Sequence, residues 1–332
     1  MATETIRYVD PNAEVGGDGT TNALTGANCA FVSLGVWEAA RQRDLPGADE
    51  WEHVYCSSDD AGSTHLADTT ACTINGWTTD ATRYIQIEAA SSHGGKWNDT
   101  IYRLESETFG IDYAESYVRL SGIQVKVTGS SGTHYCLYSH SYDATCVYTF
   151  DKLILRGVLS STADGAGIFI FANGGAHTTN LRNSLFYDFM NAAVACYGLM
   201  VFNSAANTFN VQNCTFQNSK YGIYNYKGTV NATNVGFSGC TTPTEGLTSA
   251  TTCSTSTPTF VDGDNDDFHL AEGDSTWRGE GTDLSGTFTD DIDDETRSAW
   301  DIGCDEYVAA VTGRPWFAEF CGGLNYDMAG GL

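Results

Sequence analysis

The chain has 332 residues, with 16 Lys and Arg against 42 Asp and Glu, so its formal net charge is −26. Such an acidic chain repels a phosphate backbone, which excludes nucleic acid as a natural partner. Hydrophobic residues make up 41% of the sequence and aromatic residues 12%, which is too much apolar surface for a disordered chain. Length alone does not force two domains, because all-β repeat folds commonly run this long as one domain.

The first ten residues, MATETIRYVD, contain no basic region followed by an apolar run. No stretch of the sequence approaches the roughly 18 consecutive apolar residues of a membrane span. We therefore expect neither a signal peptide nor contact with a membrane.

The first predicted element is a helix over residues 33–43 (SLGVWEAARQR), within an entry segment of residues 1–50. Ser33 is placed to cap its N-terminus, and Val32 and Trp37 are spaced for a hydrophobic staple. We expect this helix to plug the N-terminal end of the fold.

Five short segments in the middle of the chain share a template whose first, fourth and last positions are mostly apolar. They are LSGIQV (120–125), FDKLIL (150–155), LRNSLF (181–186), VQNCTF (211–216) and ATNVGF (232–237). Their last residues are separated by 30, 31, 30 and 21 positions. Such spacing indicates the turns of a solenoid, which we place over residues 51–260.

The first four templates are each followed by a second β-like run, and none of these runs shows a helical period. The runs are HYCLY (134–138), GIFIFA (167–172), AAVACY (192–197) and GIYNY (222–226). Asn also recurs at one template position, in Asn183, Asn213 and Asn234, and again three residues earlier, in Asn180, Asn210 and Asn231. Aligned Asn residues in stacked strands favour a side-chain ladder, although Asn also marks turns.

Residues 261–306 hold 16 acidic residues and two arginines, which gives a local charge of −14. The solenoid should therefore end near Thr259. An acidic closing segment, residues 261–312, should follow it. Within it Asp262, Asp264 and Asp266 resemble the first half of a calcium loop. Position six of that loop is Asp267 rather than Gly, and position twelve is Gly273 rather than Glu. The alternative is a solvated acidic turn, and the sequence indicates no other cofactor.

The eleven cysteines are scattered without a CxxC pair. We interpret them as buried thiols of a protein folded in a reducing compartment. The alternative is an occasional disulfide, for which Cys240 and Cys253 are the best pair.

Aromatic and basic residues concentrate at one place in the central turns, KYGIYNYK. The candidate contact residues are Lys220, Tyr221, Tyr224, Tyr226 and Lys227, whose rings suit sugar stacking or subunit contact. Alternation places Tyr224 and Tyr226 on one face. Ordinary half-buried strand tyrosines are the alternative.

The tail, residues 313–332, holds four large rings in a Gly-rich stretch, and these are Trp316, Phe317, Phe320 and Tyr326. Exposed rings are unfavourable, so we expect the tail to dock on a neighbouring subunit or on another partner. Folding back as a C-terminal cap is the alternative.

Sugar hydrolysis usually needs two carboxylates at a defined separation. Asp143, Asp164 and Asp188 lie 18, nine and two residues after their template ends, so we expect them at different corners of the coil. Residues 189–244 contain no Asp, Glu, Arg or His. The sequence therefore predicts no catalytic residue.

The entry segment YVDPNAEVGGDGTTNALTGANCAFVSLGVWEAA (8–40) resembles that of right-handed parallel β-helix proteins of the pectate-lyase-like superfamily. GGKWNDTIYRLE (94–105), DFHLAEGDS (267–275) and DIGCDEYV (301–308) are similar to stretches of uncharacterised members, many of which are encoded by phages and prophages. The resemblance implies an all-β right-handed parallel β-helix, a solenoid with an N-terminal capping helix and a short C-terminal tail.

The same resemblance, with the missing catalytic set, favours a non-enzymatic structural or binding protein. We expect a phage virion surface component, such as a capsid decoration, fibre or spike, that folds in the host cytoplasm and binds other virion proteins, copies of itself and polysaccharide. The alternatives are a polysaccharide lyase or glycoside hydrolase, and an extracellular adhesin or filament subunit, because the fold hosts all of these.

Overall fold

The computed structural model describes residues 2–58, 64–139, 145–171, 175–191, 195–202 and 206–309. In these ranges three long sheets are built from strands that run parallel to their neighbours. We number the strands in chain order. The first sheet contains β1 (Thr3–Val9), β2 (Glu50–Cys56), β4 (Ile85–Ala89), β7 (Val118–Ser121), β10 (Thr145–Asp151), β13 (Ala176–Arg182), β16 (Thr208–Gln212), β19 (Thr229–Thr233) and β22 (Ser249–Thr251).

The second sheet contains β5 (Arg103–Ser106), β8 (Gln124–Gly129), β11 (Ile154–Leu159), β14 (Leu185–Tyr187), β17 (Thr215–Gln217) and β20 (Gly236–Ser238). The third contains β3 (Cys72–Ile74), β6 (Phe109–Tyr113), β9 (Gly132–Ser139), β12 (Ala163–Phe171), β15 (Cys196–Phe202), β18 (Tyr221–Asn225) and β21 (Thr242–Glu245). From β4 onward the chain visits the first, second and third sheet in turn and then starts the next coil. The protein is thus a right-handed parallel β-helix, and the predicted fold class is confirmed.

The five template ends lie in one column of the second sheet. Leu155 pairs with Val125 and with Phe186, and Phe216 pairs with Phe186 and with Phe237. All five side chains are buried. The rings of Phe186 and Phe216 stack at 4.5 Å between centroids, and those of Phe216 and Phe237 at 5.4 Å. The spacing of the template thus sets the register of the coil interior.

Three glycines of the third sheet face this stack of rings. A Cβ on Gly167, Gly198 or Gly222 would collide with the ring of Phe186, Phe216 or Phe237, respectively. Glycine is therefore required in one wall of the coil wherever phenylalanine fills the other.

Both interpretations of the repeated asparagines hold, and the turn position shows both, because Asn234 donates to Asn213 Oδ1 at 3.1 Å. Asn210 donates to Asn180 Oδ1 at 3.0 Å, and Asn231 donates to Asn210 Oδ1 at 3.3 Å, so a side-chain ladder crosses the first sheet. The other set, Asn183, Asn213 and Asn234, occupies the corner between the first and second sheets with φ of 47°, 46° and 55°. Asn tolerates this left-handed conformation better than most residues, so it also marks turns.

One of the predicted second β-runs, AAVACY (192–197), is placed too early in the sequence. The strand of that turn is β15, Cys196–Phe202, rather than residues 192–197, of which 192–194 lie outside the described residues. The error has a physical cause, because AAVACY and YGLMVF are both short apolar runs and periodicity alone does not separate them.

The predicted helix is confirmed as α1 (Leu34–Arg41), with the Ser33 hydroxyl accepting from Val36 N at 3.1 Å. Its Trp37 is buried, donates to Glu52 Oε1 at 3.1 Å and stacks on Trp77 at 5.6 Å. A second helix, α2 (Leu45–Ala48), was not predicted. Among the described residues no helix is long and apolar enough to cross a membrane.

After β22 the chain leaves the three sheets and forms a hairpin of β23 (Phe260–Asp262) and β24 (Asp267–Leu270), joined by a 3₁₀ turn (Gly263–Asn265). From here on, the closing segment means residues 260–306, which replace the predicted bounds of 261–312. It returns along the corner between the first and second sheets, so it contacts earlier coils as well as the last one. Arg297 donates to Asn183 Oδ1 at 3.1 Å, and Asn213 donates to Asp301 O at 3.0 Å.

The ten described cysteines are all free, and eight of them are buried. The considered disulfide between Cys240 and Cys253 is not formed, so that alternative is wrong. Each thiol instead faces a nearby backbone carbonyl, Cys240 that of Phe216 at 3.4 Å and Cys253 that of Thr251 at 3.6 Å. Burial raises the pKa of Cys240 to about 11, which keeps it protonated.

Candidate binding face of the coil

The outer surface of the third sheet carries a stripe of aromatic side chains across four consecutive coils. Inward positions of these strands hold the buried aliphatic residues Leu137, Ile168, Leu199 and Ile223. Outward positions hold rings, and we call this set the aromatic face: Tyr135, Tyr138, Phe169, Phe171, Tyr197, Phe202, Tyr221, Tyr224 and Tyr226. Tyr226, at the end of the stripe, is 63% exposed, and the other rings are half-buried.

The parallel register stacks these rings in columns. Phe169 pairs with Tyr138 on one side and with Met200 on the other, and Met200 pairs with Tyr224. Because parallel strands lie ~4.8 Å apart, side chains at paired positions meet face to face. Ring centroids are accordingly 5.8 Å apart for Phe171 and Phe202, and 5.1 Å apart for Phe202 and Tyr226.

The column that begins at Tyr135 is interrupted. Ala166 pairs with Tyr135 and with Tyr197, so a methyl group stands where the neighbouring coils carry rings. A cleft of about 200 Å³ lies beside this column, lined by Thr133, Tyr135, Asp164, Gly165, Phe169, Ala195, Tyr197 and Met200. Two rings of the interrupted column, Tyr135 and Tyr197, thus line the cleft together with Phe169.

The polar side chains of the cleft are the hydroxyls of Thr133, Tyr135 and Tyr197 and one carboxylate, that of Asp164. Burial, followed by the neighbouring Tyr224 and Tyr221 and by Asp164, raises the pKa of Tyr197 to about 12. Burial also raises the pKa of Tyr135. Both phenols therefore stay neutral at ordinary pH and offer one donor and one acceptor to a ligand.

The five contact residues expected from the sequence lie on β18 and at its two ends. Tyr221, Tyr224 and Tyr226 belong to the aromatic face, and Lys227 is exposed beside Tyr226. Lys220 is half-buried, and its backbone N–H donates to Phe189 O at 2.9 Å. Whether these residues bind a ligand stays a prediction.

The sequence reasoning missed the rings of the three preceding coils, including Tyr135, Phe169 and Tyr197. The signal was present, because YGIY in β18 repeats YGLM in β15 and AGIF in β12. Aligning these runs on their shared glycine would have placed the outward rings in columns.

The three aspartates of the suggested calcium loop lie on the hairpin of the closing segment. Asp262 and Asp264 are exposed, and Asp266 forms an ion pair with Arg156 at 3.0 Å. Among the described residues two other groups bring three ligand atoms within 4.8 Å of one another, His269 with Asp293 and Asp305, and Asp291 with Asp293 and Glu295. The rings of the tail, Trp316, Phe317, Phe320 and Tyr326, lie outside the described residues.

The carboxylates in these two groups have displaced pKa values. Burial raises the pKa of Asp305 to about 7. Burial and the adjacent Asp293 carboxylate raise the pKa of Asp291. Burial opposes the ionisation of Asp293, but hydrogen bonds with His269 and Asp291 hold the pKa of Asp293 below its usual range. The closing segment thus concentrates ionisable groups that the coil interior lacks.

Of the carboxylates considered for sugar cleavage, the two described ones, Asp164 and Asp188, do not form a pair. Asp164 lies on the outer face of the third sheet, whereas Asp188 follows β14 of the second sheet and accepts from Asn218 at 2.9 Å. Asp143 lies outside the described residues. The expectation that Asp164 and Asp188 occupy different corners is confirmed.

Comparison with known proteins adds little. No family model and no curated protein matches the chain. One solved structure, titled "Crystal structure of pectate lyase Pel9A", is similar at 12% identity with a TM-score of 0.34, over 92% of this chain and 97% of that one. At this distance the match carries no information about activity. The assignment to the parallel β-helices rests on the strand order and register.

Proposed function

We propose that this chain is a non-enzymatic binding protein that takes up glycan chains on its aromatic face. The observation that carries the proposal is the stripe of outward rings over four coils, together with the cleft that Tyr135 and Tyr197 line. Sugar rings present apolar C–H faces and hydroxyl edges, which complement aromatic faces beside phenol groups. A solenoid surface also suits a linear polymer, since both repeat along one axis.

The charge of the protein favours neutral glycans. The chain carries a net charge of −26, and the cleft is lined by the carboxylate of Asp164. An acidic polysaccharide would be repelled by the overall field and by the cleft itself. We therefore expect hexose or N-acetylhexosamine polymers to bind better than uronate polymers.

We further propose that the protein acts at the surface of a phage particle, as a capsid decoration, fibre or spike component that contacts other virion proteins or its own copies. This part is supported by the resemblance of residues 94–105, 267–275 and 301–308 to stretches of uncharacterised β-helix proteins, many of which phages and prophages encode. Locating the protein in purified particles by mass spectrometry, and on their surface by antibody labelling, tests it.

Binding is tested by titrating soluble oligosaccharides from neutral, acidic and amino polysaccharides into the protein by calorimetry. Tyr135→Ala and Tyr197→Ala should each weaken binding about tenfold, which corresponds to about 1.4 kcal/mol. Tyr55→Ala, which removes a half-buried ring of the first sheet, serves as the matched control and should leave binding unchanged. Equal losses in all three variants, or no binding of any glycan, would refute the proposal.

Cleavage is tested on the same glycans, with and without calcium, by following new reducing ends and unsaturated products. We expect none, because Asp164 and Asp188 lie on different sheets. Sustained turnover that is lost in Asp164→Asn would show an enzyme instead.

A further inference from the structure

The cleft of the aromatic face holds one charged side chain, that of Asp164, and a neutral glycan would give this charge no partner. Asp164 lies on β12 and is half-buried. Within the part of the chain that the structure describes, its carboxylate accepts no hydrogen bond and forms no ion pair. None of the side chains that line the cleft is basic. The carboxylate is therefore open to a ligand.

Two other outward carboxylates of the coil have a basic neighbour on the next strand. Glu105 pairs with Lys126, whose Nζ lies 2.6 Å from Glu105 Oε2. Asp151 pairs with Arg182, which donates to Asp151 Oδ2 at 2.7 Å. Opposite charges at paired positions of neighbouring strands stabilise a sheet. Asp164 has no such neighbour.

The residues beside Asp164 on the two adjacent strands are uncharged. On one side Asp164 pairs with Thr133 of β9. On the other side Ala195 stands beside it, because the next two residues, Gly165 and Cys196, are paired. A hydroxyl and a methyl group thus flank this carboxylate. A half-buried charge that has lost part of its hydration is stabilised by a counter-ion, which here a ligand has to supply.

The rings of the cleft lie close enough to Asp164 for its charge to act on them. Burial and two neighbouring tyrosines are the larger causes of the raised pKa of Tyr197, and the carboxylate of Asp164 comes next. Burial, a neighbouring tyrosine and then Asp164 raise the pKa of Tyr135. A sugar that packs on either ring would therefore bring its substituents into the field of this carboxylate.

From this arrangement we propose that the cleft binds the ammonium group of an amino sugar, with Asp164 as the counter-ion and Tyr135 and Tyr197 packing against the sugar ring. This inference rests on the proposed function and names the class of glycan that the aromatic face prefers. An ammonium group forms a charge-assisted hydrogen bond with a carboxylate, and aromatic rings also attract a cation. A hexose carries only neutral hydroxyls, and acetylation removes the charge of the amine, so both lack this interaction.

The test compares three oligosaccharides of equal length and linkage, built from glucosamine, N-acetylglucosamine or glucose, which differ only in the substituent at C2. Each is titrated into the full chain by calorimetry at a pH at which the amine is protonated. The glucosamine oligomer should bind about fivefold more tightly than the other two. High salt should remove this advantage, because the range of a charge in solution is only about 10 Å at 0.1 M salt.

Two variants locate the preference. Asp164→Asn keeps the shape of the side chain and breaks no hydrogen bond, and with it the three oligomers should bind with similar affinity. Asp264→Asn removes the same charge from an exposed turn of the closing segment, so it is the matched control and should keep the preference. A preference caused only by the net charge of the protein would fall equally in both variants.

The inference fails if the glucosamine oligomer binds no more tightly than the glucose oligomer. It also fails if the preference survives in Asp164→Asn, or if Asp264→Asn reduces it as much. In each of these cases, binding of the neutral oligomers would still support the proposed function. If no oligomer binds, both fail. If the glucosamine oligomer alone binds, and Asp164→Asn abolishes its binding, the inference holds and the proposed function narrows to amino sugars.

Discussion

The central coils and the closing segment are stabilised in different ways, although they pack against each other. Coil residues 189–244 contain no Asp, Glu, Arg or His, and their interior is a stack of Phe rings with facing glycines. The closing segment is stabilised by carboxylates that accept backbone N–H groups, such as Glu306 Oε1, which accepts from Ala299 N at 2.6 Å. The repeated coils stack short apolar segments into a continuous core, whereas the closing segment, which does not repeat, is held by specific polar contacts.

The largest effect should come from the ring stack. Phe216→Ala removes a fully buried ring that contacts a ring on each side, and should lower the free energy of unfolding by about 3–5 kcal/mol. Denaturant unfolding followed by circular dichroism measures it. Val261→Ala, at a side chain that is 59% exposed, is the control and should change little. A loss below 1 kcal/mol for Phe216→Ala would mean that the stack adds little to stability.

Removing Arg297 should have an effect of similar size but confined to the closing segment. Its side chain is fully buried with that of Glu306, and it donates to Cys304 O at 2.7 Å and to Asn183 Oδ1. Breaking a buried charge pair typically costs about 3–5 kcal/mol. In Arg297→Gln, hydrogen exchange should therefore accelerate across the closing segment and remain slow in β13 to β19.

The half-buried Arg278 of the same segment provides the control, because Arg278→Gln breaks no buried pair. Equal acceleration of exchange in the coil and in the closing segment of Arg297→Gln would show that the two regions unfold as one unit.

A smaller effect is expected from the glycines that face the rings. Gly198→Ala places a Cβ against Phe216 and against the backbone of Gly222, so it should cost about 1–3 kcal/mol through overpacking. Gly273→Ala, where a Cβ meets no atom within 4 Å, is the control and should be nearly neutral. If Gly198→Ala left the free energy of unfolding unchanged, the stack of Phe rings would have to shift easily to accept the added methyl group.

The smallest effect concerns pH and the first coils. Burial lowers the pKa of His53, but hydrogen bonds to Glu88 and Glu4 more than offset it, so the pKa lies above its ordinary value of 6.5. Because the folded state binds this proton more tightly, the stabilisation is complete below pH 6.5 and is lost as the pH rises through the raised pKa.

The free energy of unfolding should therefore decline as the pH rises from 6.5 through the raised pKa of His53. This decline should be absent in His53→Gln. Hydrogen exchange should place the decline in β1, β2 and β4, since His53 joins these three strands. A decline centred in the coils of residues 189–244 would contradict the assignment.

The sequence by itself determined the fold class and the register of the coil interior. The template ends from Val125 to Phe237 could be aligned by counting, because each coil repeats the same inward positions at a nearly constant spacing. The N-terminal helix was also determined locally, since a Ser cap and an apolar face suffice to place it.

The tertiary structure decided the aromatic face and the path of the closing segment. Inward residues of a strand must pack in the coil interior, whereas outward residues need not, so outward positions show no clear repeat in the sequence. Tyr135, Phe169 and Tyr197 therefore become a recognisable stripe only when their coils are stacked. Gly95 packs against the imidazole of His269, although the two residues are 174 positions apart in the sequence and no local pattern relates them. Only the return of the closing segment along the corner of the coil brings that glycine to the imidazole, because contacts between an unrepeated segment and a repeated coil depend on its complete path.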